Sequence, residues 1–166
     1  MFQPLTILEI DANHKNKGNL ESIRSAKISN SYKTIHIDIF KNSIVLFLSE
    51  VLAKSIKEEE KNIELFKFVK KSMIWLDNSE KFSNFHIQFL VKLLSFLGIS
   101  PEKTEKTMNG FNMIDGVFCE YDQSEFCING KLVDHFKSFL GTEFDDVVTE
   151  VNTSNKRKEL IEFLIK

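Results

Sequence analysis

The chain is expected to fold as a mainly α protein, a helical bundle carrying a small β-hairpin insertion, and three observations lead there. From Phe40 to Gly98, three amphipathic or fully apolar segments follow one another almost without a spacer, which is the layout of packed helices. The third, Phe82 to Leu97, has Phe85, Phe89, Leu93 and Phe96 on one stripe and Ile87, Leu90, Val91 and Leu94 beside it. A helix apolar over most of its circumference belongs at the buried centre of a bundle. Sixteen phenylalanines against two tyrosines and one tryptophan then point to a core filled with plain aromatic bulk.

The elements follow in order. Pro4 to Ile10 loosely alternates Leu5, Ile7 and Leu8 with Thr6 and Glu9, as a strand does. Asp11 to Asn19, rich in Asn, Lys and Gly, is a turn, and Leu20 to Ile28 is ambiguous between a strand and a short helix. Two strands cannot bury a face by themselves, so this region is expected to be the end of a larger sheet, in a truncated chain or a small appendage. Asp38 is a candidate N-cap for a helix whose apolar positions are Ile44, Phe47, Leu48, Val51, Leu52 and Ile56, followed by the acidic run Glu58 to Glu60. A second helix starts near Asn62, with Phe66, Val69, Met73 and Leu76 on one face. Gly98 closes the third as a C′ glycine, with Pro101 beyond it as a stop. Ser100 to Gly116 is a polar connection, and Val117 to Tyr121 with Glu125 to Ile128 form the hairpin around Asp122 to Ser124. Helices are expected at Lys131 to Leu140, about Glu143 to Val151, and Ser154 to the end.

At 166 residues the chain has room for one good core, or for one domain with part of another. A formal charge of -2 provides no global field toward nucleic acid phosphates, although a local basic face remains open. No apolar run reaches the roughly 20 residues of a membrane span. The start MFQPLTILEIDANHK lacks the features of a signal peptide, so a cytoplasmic location is expected. Two cysteines are too few for a disulfide framework or a four-thiolate zinc site.

Groupings that could carry chemistry are sparse. His14, His36, His86 and His135 lie in unrelated segments, and none has a second ligand one helical turn away. His86, on the apolar third helix, reads as a core or rim histidine that needs a hydrogen-bond partner. Cys119 and Cys127 come opposite each other if the hairpin turns on three residues. They are then a redox pair, half of a metal site, or two small buried hydrophobes, the last being the ordinary state in a reducing compartment. The three glutamates at 58 to 60 point in different directions on a helix and do not converge. Lys67, Lys70 and Lys71 on the second helix, and Lys156, Arg157 and Lys158 on the last, could touch phosphate or an acidic partner, or simply keep a helix face wet. The second group lies at a helix N-terminus, where the dipole disfavours positive charge, and this favours an external partner. Phosphate loops, GxSxG and HExxH are absent, and nothing supports an enzyme.

Read together, QPLTILEI, LESIRSAKI, FLSEVLAKSIKEEE and NFHIQFLVKLLSFLG resemble the RecO family of DNA repair proteins, in the form typical of Bacteroidetes-type bacteria. IDGVFCE and RKELIEFLIK resemble its later extended segment and last helix. The resemblance implies a closing part of an OB-fold over residues 1–30, and a helical domain over 31–166 with a small hairpin near 117–128. It also implies a piece of a longer chain, cytoplasmic and nucleoid-associated. The implied role is that of a recombination mediator without a chemical active site. It anneals complementary strands and, with RecR and RecF, helps load recombinase onto DNA coated by single-stranded-DNA-binding protein. Contact with DNA would come through the full-length protein, and no membrane is involved. The helical domain would dock the coating protein's acidic, Phe-terminated tail, which needs an apolar socket beside a cation. Arginines found in some relatives at the start of the third helix are replaced by Ile87 and Gln88, leaving His86, Phe89 and Lys92 as the nearest socket residues. Some relatives carry four cysteines where this chain has PEKTEKTMNGFNMIDG, so a structural zinc is expected to be absent. The residues alone fit a helical interaction module with an unrelated partner equally well.

Overall fold

The computed structural model describes residues 2–13, 22–56, 61–101, 108–121 and 123–165, which form two compact units, Met1–Ser79 and Glu80–Lys166. His14, the run Glu58 to Glu60, Asp122 at the expected hairpin tip, and most of the expected turn Asp11 to Asn19 lie outside the described residues, as do residues 102–107 of the PEKTEKT stretch.

The first unit holds strands β1 (Ile7–Ala12) and β2 (Ile23–Asn30) and helices α1 (Ile39–Ser55) and α2 (Ile63–Asn78). The ambiguous second segment is a strand, antiparallel to β1, with Leu8 opposite Ile28 and Ile10 opposite Ala26. Ile7 is buried, whereas Ile10, Ile23 and Ile28 stay exposed. Asp38 caps α1 as its sequence position suggests, accepting hydrogen bonds from the N–H groups of Phe40 and Lys41. Asn62 does the same for α2 through the N–H of Leu65. Two stripes differ from expectation. α1 buries Lys41, Val45, Leu48 and Leu52, leaving Ile44, Phe47 and Val51 at its margins and Ile56 exposed. α2 buries Leu65 with Ser72, Met73, Leu76 and Asp77, while Phe66 is 58% exposed.

Asp77 is the polar centre of this unit. Its carboxylate accepts from the backbone N–H groups of Lys33, Thr34 and Ile35 at 2.8–3.0 Å. The Thr34 hydroxyl and the Lys41 ammonium both reach the Asp77 carbonyl oxygen, and Lys41 Nζ lies 2.8 Å from Thr34 Oγ1. Lys41 and Asp77 are each 4% exposed. Burial by itself raises the carboxyl pKa, but the three backbone N–H groups and the Thr34 hydroxyl outweigh it and hold Asp77 below the usual carboxylate value.

The second unit contains α3 (Phe85–Phe96), β3 (Gly110–Asn112), β4 (Val117–Cys119), β5 (Cys127–Asn129), α4 (Lys131–Phe139) and α5 (Ser154–Leu164). α3 buries Phe85, Ile87, Gln88, Phe89, Leu90, Val91 and Leu93, in agreement with its all-round apolarity. It begins three residues later than expected because residues 82–84 form a turn closed by the Phe85 N–H on the Phe82 carbonyl. Gly98, at φ +72°, ends it, and the Ile99 N–H returns to the Leu94 carbonyl.

Two expectations fail in this unit. The segments around Val117 and Cys127 do not pair with each other: β3, read as part of a polar connection, lies between them, and the sheet order is β4-β3-β5. Asn112 explains the turn that allows it. Its side-chain oxygen accepts from the N–H groups of Ile114 and Asp115, and Gly116, at φ +66°, donates its N–H to the Asn112 carbonyl. The helix expected at Glu143 to Val151 is absent. The Asp146 carboxylate takes the Glu143 N–H, and the Gln88 amide donates to the carbonyls of Glu143 and Asp146, so these groups are satisfied outside a helix.

The core of this unit is aromatic. Phe111, Phe118, Phe136 and Phe163 contact one another at centroid separations of 5.1–5.7 Å, mostly edge to face. Ile87, Val91, Val133, Phe139, Val148, Val151 and Leu160 surround them.

Replacing Asp77 by Ala takes the acceptor from three backbone donors, the Ile35 N–H among them buried, and is expected to cost about 2–4 kcal/mol in chemical denaturation. Hydrogen exchange at Lys33, Thr34 and Ile35 rises with it. Because the folded pKa of Asp77 is depressed, its contribution is complete above the unfolded carboxylate value and is lost as pH falls through the folded one. Asp77→Asn removes that part of the acid dependence.

Candidate partner-binding rim

The sequence-nominated residues divide between the two units. On α2, Lys67 pairs with Glu64 at 2.8 Å with both side chains largely in water, Lys70 is half-buried and Lys71 is exposed. Such an exposed pair contributes little to stability. The residues nominated on α3 and α5 all belong to the second unit, where His86 meets the first turns of α5.

A shallow groove of about 440 Å³ is lined by His86, Ser154, Arg157, Lys158, Ile161 and Glu162. α5 is capped by Thr153, whose hydroxyl accepts the Lys156 N–H, and Leu160 anchors the opposite face in the core. That anchoring turns Arg157, Lys158 and Ile161 toward the groove. The Lys156 ammonium instead donates to the Glu150 carbonyl, and Lys158 lies 3.8 Å from Glu162 with both exposed. His86 is partly buried, and its Nδ1 is inaccessible and has no hydrogen-bond partner among the described residues. Its pKa is pushed down to about 4, first by burial and second by the positive charge of Arg157. Near neutral pH the groove therefore has a neutral imidazole, two cations, one carboxylate and an apolar floor at Ile161.

Phe89, named from the sequence as a nearest socket residue, lies in the interior. It is fully buried, 6.1 Å from Phe85 between ring centroids, and does not line the groove. Its position on the inner stripe of the most apolar helix accounts for this. Lys92 is on the surface but engaged: its ammonium meets Glu143 at 2.8 Å and lies 5.8 Å from the Phe144 ring centre. Phe144 in turn stacks on Phe85 at 4.9 Å. Ile87 and Gln88, at the start of α3, are both buried.

Sequence reasoning missed Gln88 and the meeting of His86 with Arg157. A glutamine on an otherwise apolar helix face was the available signal for the first, since a buried amide must find carbonyl partners. The second joins positions 71 residues apart and has no local sign. Among the described residues, no three His, Cys, Asp or Glu side chains converge as metal ligands, and no helix is long and apolar enough to cross a membrane.

Residues 36–165, which among the described residues hold five helices and the three-stranded sheet, match a domain of the recombination machinery, the family described as Recombination protein O C terminal. The DNA repair protein RecO of Christiangramia forsetii is 40% identical over 165 residues, covering 99% of this chain and 69% of the relative. That of Flavobacterium psychrophilum is 40% identical over 168 residues, covering 99% and 68%. That of Flavobacterium johnsoniae is 43% identical over 145 residues, covering 87% and 61%. The chain belongs to the RecO family of DNA repair and recombination proteins.

The His86 ring is expected to titrate near pH 4 by NMR. Arg157→Gln should move that midpoint upward without restoring the ordinary histidine value, because burial is the larger cause. The unfolded chain binds the proton more readily, so stability from neutral His86 is complete above about pH 6.5 and declines as pH falls toward the folded value.

Proposed function

We propose that this chain acts as a recombination mediator. It anneals complementary strands and, with RecR and RecF, helps load recombinase onto DNA covered by single-stranded-DNA-binding protein. Membership of the RecO family over residues 36–165 carries this reading. The role is one of binding and exchange, which asks for no catalytic side chains, and it places the protein in the cytoplasm with the nucleoid. Residues 1–30 serve as the closing part of an OB-fold, and 31–166 as the helical domain. The exposed Ile10, Ile23 and Ile28 on the two-stranded sheet support that assignment, because two strands alone are marginal in water and an OB-fold supplies further ones.

The helical domain docks the acidic, Phe-terminated tail of the single-stranded-DNA-binding protein at the rim formed by α3 and α5. Arg157 and Lys158 meet the carboxylates there, and the Ile161 surface receives the aromatic ring. Lys92, already engaged with Glu143, sets the outer edge, and neutral His86 keeps the socket from being wholly cationic.

A fluorescent peptide with that tail sequence is expected to bind the full chain saturably in an anisotropy titration, with affinity falling as salt rises. Arg157→Glu combined with Lys158→Glu should weaken binding by about tenfold or more, equivalent to roughly 1.4 kcal/mol. Unchanged affinity in the double variant would move the socket elsewhere.

A further inference from the structure

The two cysteines are brought together by a route their sequence positions do not suggest. Cys119, on β4, is paired in register with Gly110 of β3, while Cys127, on β5, is paired with Asn112 of the same strand. They flank the central strand, yet their Sγ atoms are 3.2 Å apart. Gly110 makes this possible. A Cβ at that position would lie 2.8 Å from Cys127 Sγ and 3.2 Å from Cys119 Sγ, so the thiols occupy the space a side chain would fill. The Tyr121 Cα would be only 3.1 Å from the same Cβ, which shows that the chain leaving β4 folds over Gly110. Cys127 is buried, whereas Cys119 is partly accessible.

We propose that Cys119 and Cys127 form a peroxide-oxidisable dithiol that closes to an intramolecular disulfide across Gly110. The contact is short for two unbonded sulfurs, and closing to the bonded distance of about 2.05 Å requires the atoms to approach by little more than 1 Å. The accessible Cys119 reacts first. Its sulfur attacks one oxygen of hydrogen peroxide, the O–O bond breaks, and the products are a Cys119 sulfenic acid and one water. The Cys127 thiol then attacks the Cys119 sulfur, the S–O bond breaks, and the hydroxyl leaves with the thiol proton as a second water. Peroxide is reduced to two waters, and two thiols are oxidised to one disulfide. The bond ties β4 to β5 over β3 and closes the loop between residues 119 and 127.

The test uses the full chain, oxidised with hydrogen peroxide, quenched with catalase, alkylated with iodoacetamide, and analysed by intact mass and peptide mapping. The expected product has lost two hydrogens, carries no alkyl group at either cysteine, yields a peptide joining Cys119 to Cys127, and reverts with dithiothreitol. Alkylation at both positions, a sulfinic acid at Cys119 beside an alkylated Cys127, or links only between chains would each overturn the proposal. Gly110→Ala places a methyl group between the sulfurs and is expected to lower the linked fraction strongly at unchanged circular dichroism; an unchanged fraction in the folded variant counts against the geometry. Should that variant not fold, Cys127→Ser carries the test. Dimedone should then trap the Cys119 sulfenic acid in Cys127→Ser and much less of it in the parent, and equal trapping in both would sink the resolving role of Cys127.

Discussion

A buried carboxylate that receives three consecutive backbone N–H groups sets the geometry of the first unit. The segment between β2 and α1 cannot satisfy those donors by itself, and Asp77, at the end of α2, supplies the acceptor for Lys33, Thr34 and Ile35. Lys41 closes the arrangement from α1 by bonding to the carbonyl of Asp77. One residue thus joins the strand pair's exit to both helices. The second unit uses the same device with a neutral group, because Gln88 on α3 holds the carbonyls of Glu143 and Asp146. In each case a polar side chain on a helix face gives an irregular segment a defined path, since buried backbone groups must be paired.

The interior of the second unit differs in character from its groove edge. Its interior is aromatic, with Phe111, Phe118, Phe136 and Phe163 joined through Phe111 and Phe136. At the groove edge His86 faces Arg157 and Lys158. A neutral imidazole beside two cations gives that edge less positive charge than a count of basic residues suggests. The proposed docking of an acidic, partly apolar partner draws on this combination of moderate charge and an aliphatic floor.

The small sheet shows a different dependence. β3 is only three residues long and contains glycine and asparagine, so its strand character comes from its neighbours on both sides. Gly110 contributes by having no side chain, which leaves room for Cys119 and Cys127 to meet. Replacing the expected direct pairing of β4 and β5 by a central strand preserves the proximity of the thiols but changes its cause. In the first arrangement they would face each other across one ladder, and in the observed one they reach over a glycine.

What the sequence determined by itself is everything encoded within a few residues. The three central helices, the caps at Asp38 and Gly98, the buried stripe of α3 and the aromatic core follow from periodicity, side-chain reach and composition. Family membership was legible too, through ordered likeness along the chain. Only the tertiary structure decided which apolar residues stay outside and which are sealed in, as with the exposed Phe66 and the buried Phe89, because that depends on what packs over each stretch of a helix face. It likewise decided that Gly110 to Asn112 forms a strand, that Glu143 to Val151 does not form a helix, and that His86 meets Arg157. Each of these depends on partners tens of residues away, and no local pattern specifies where such a partner will be.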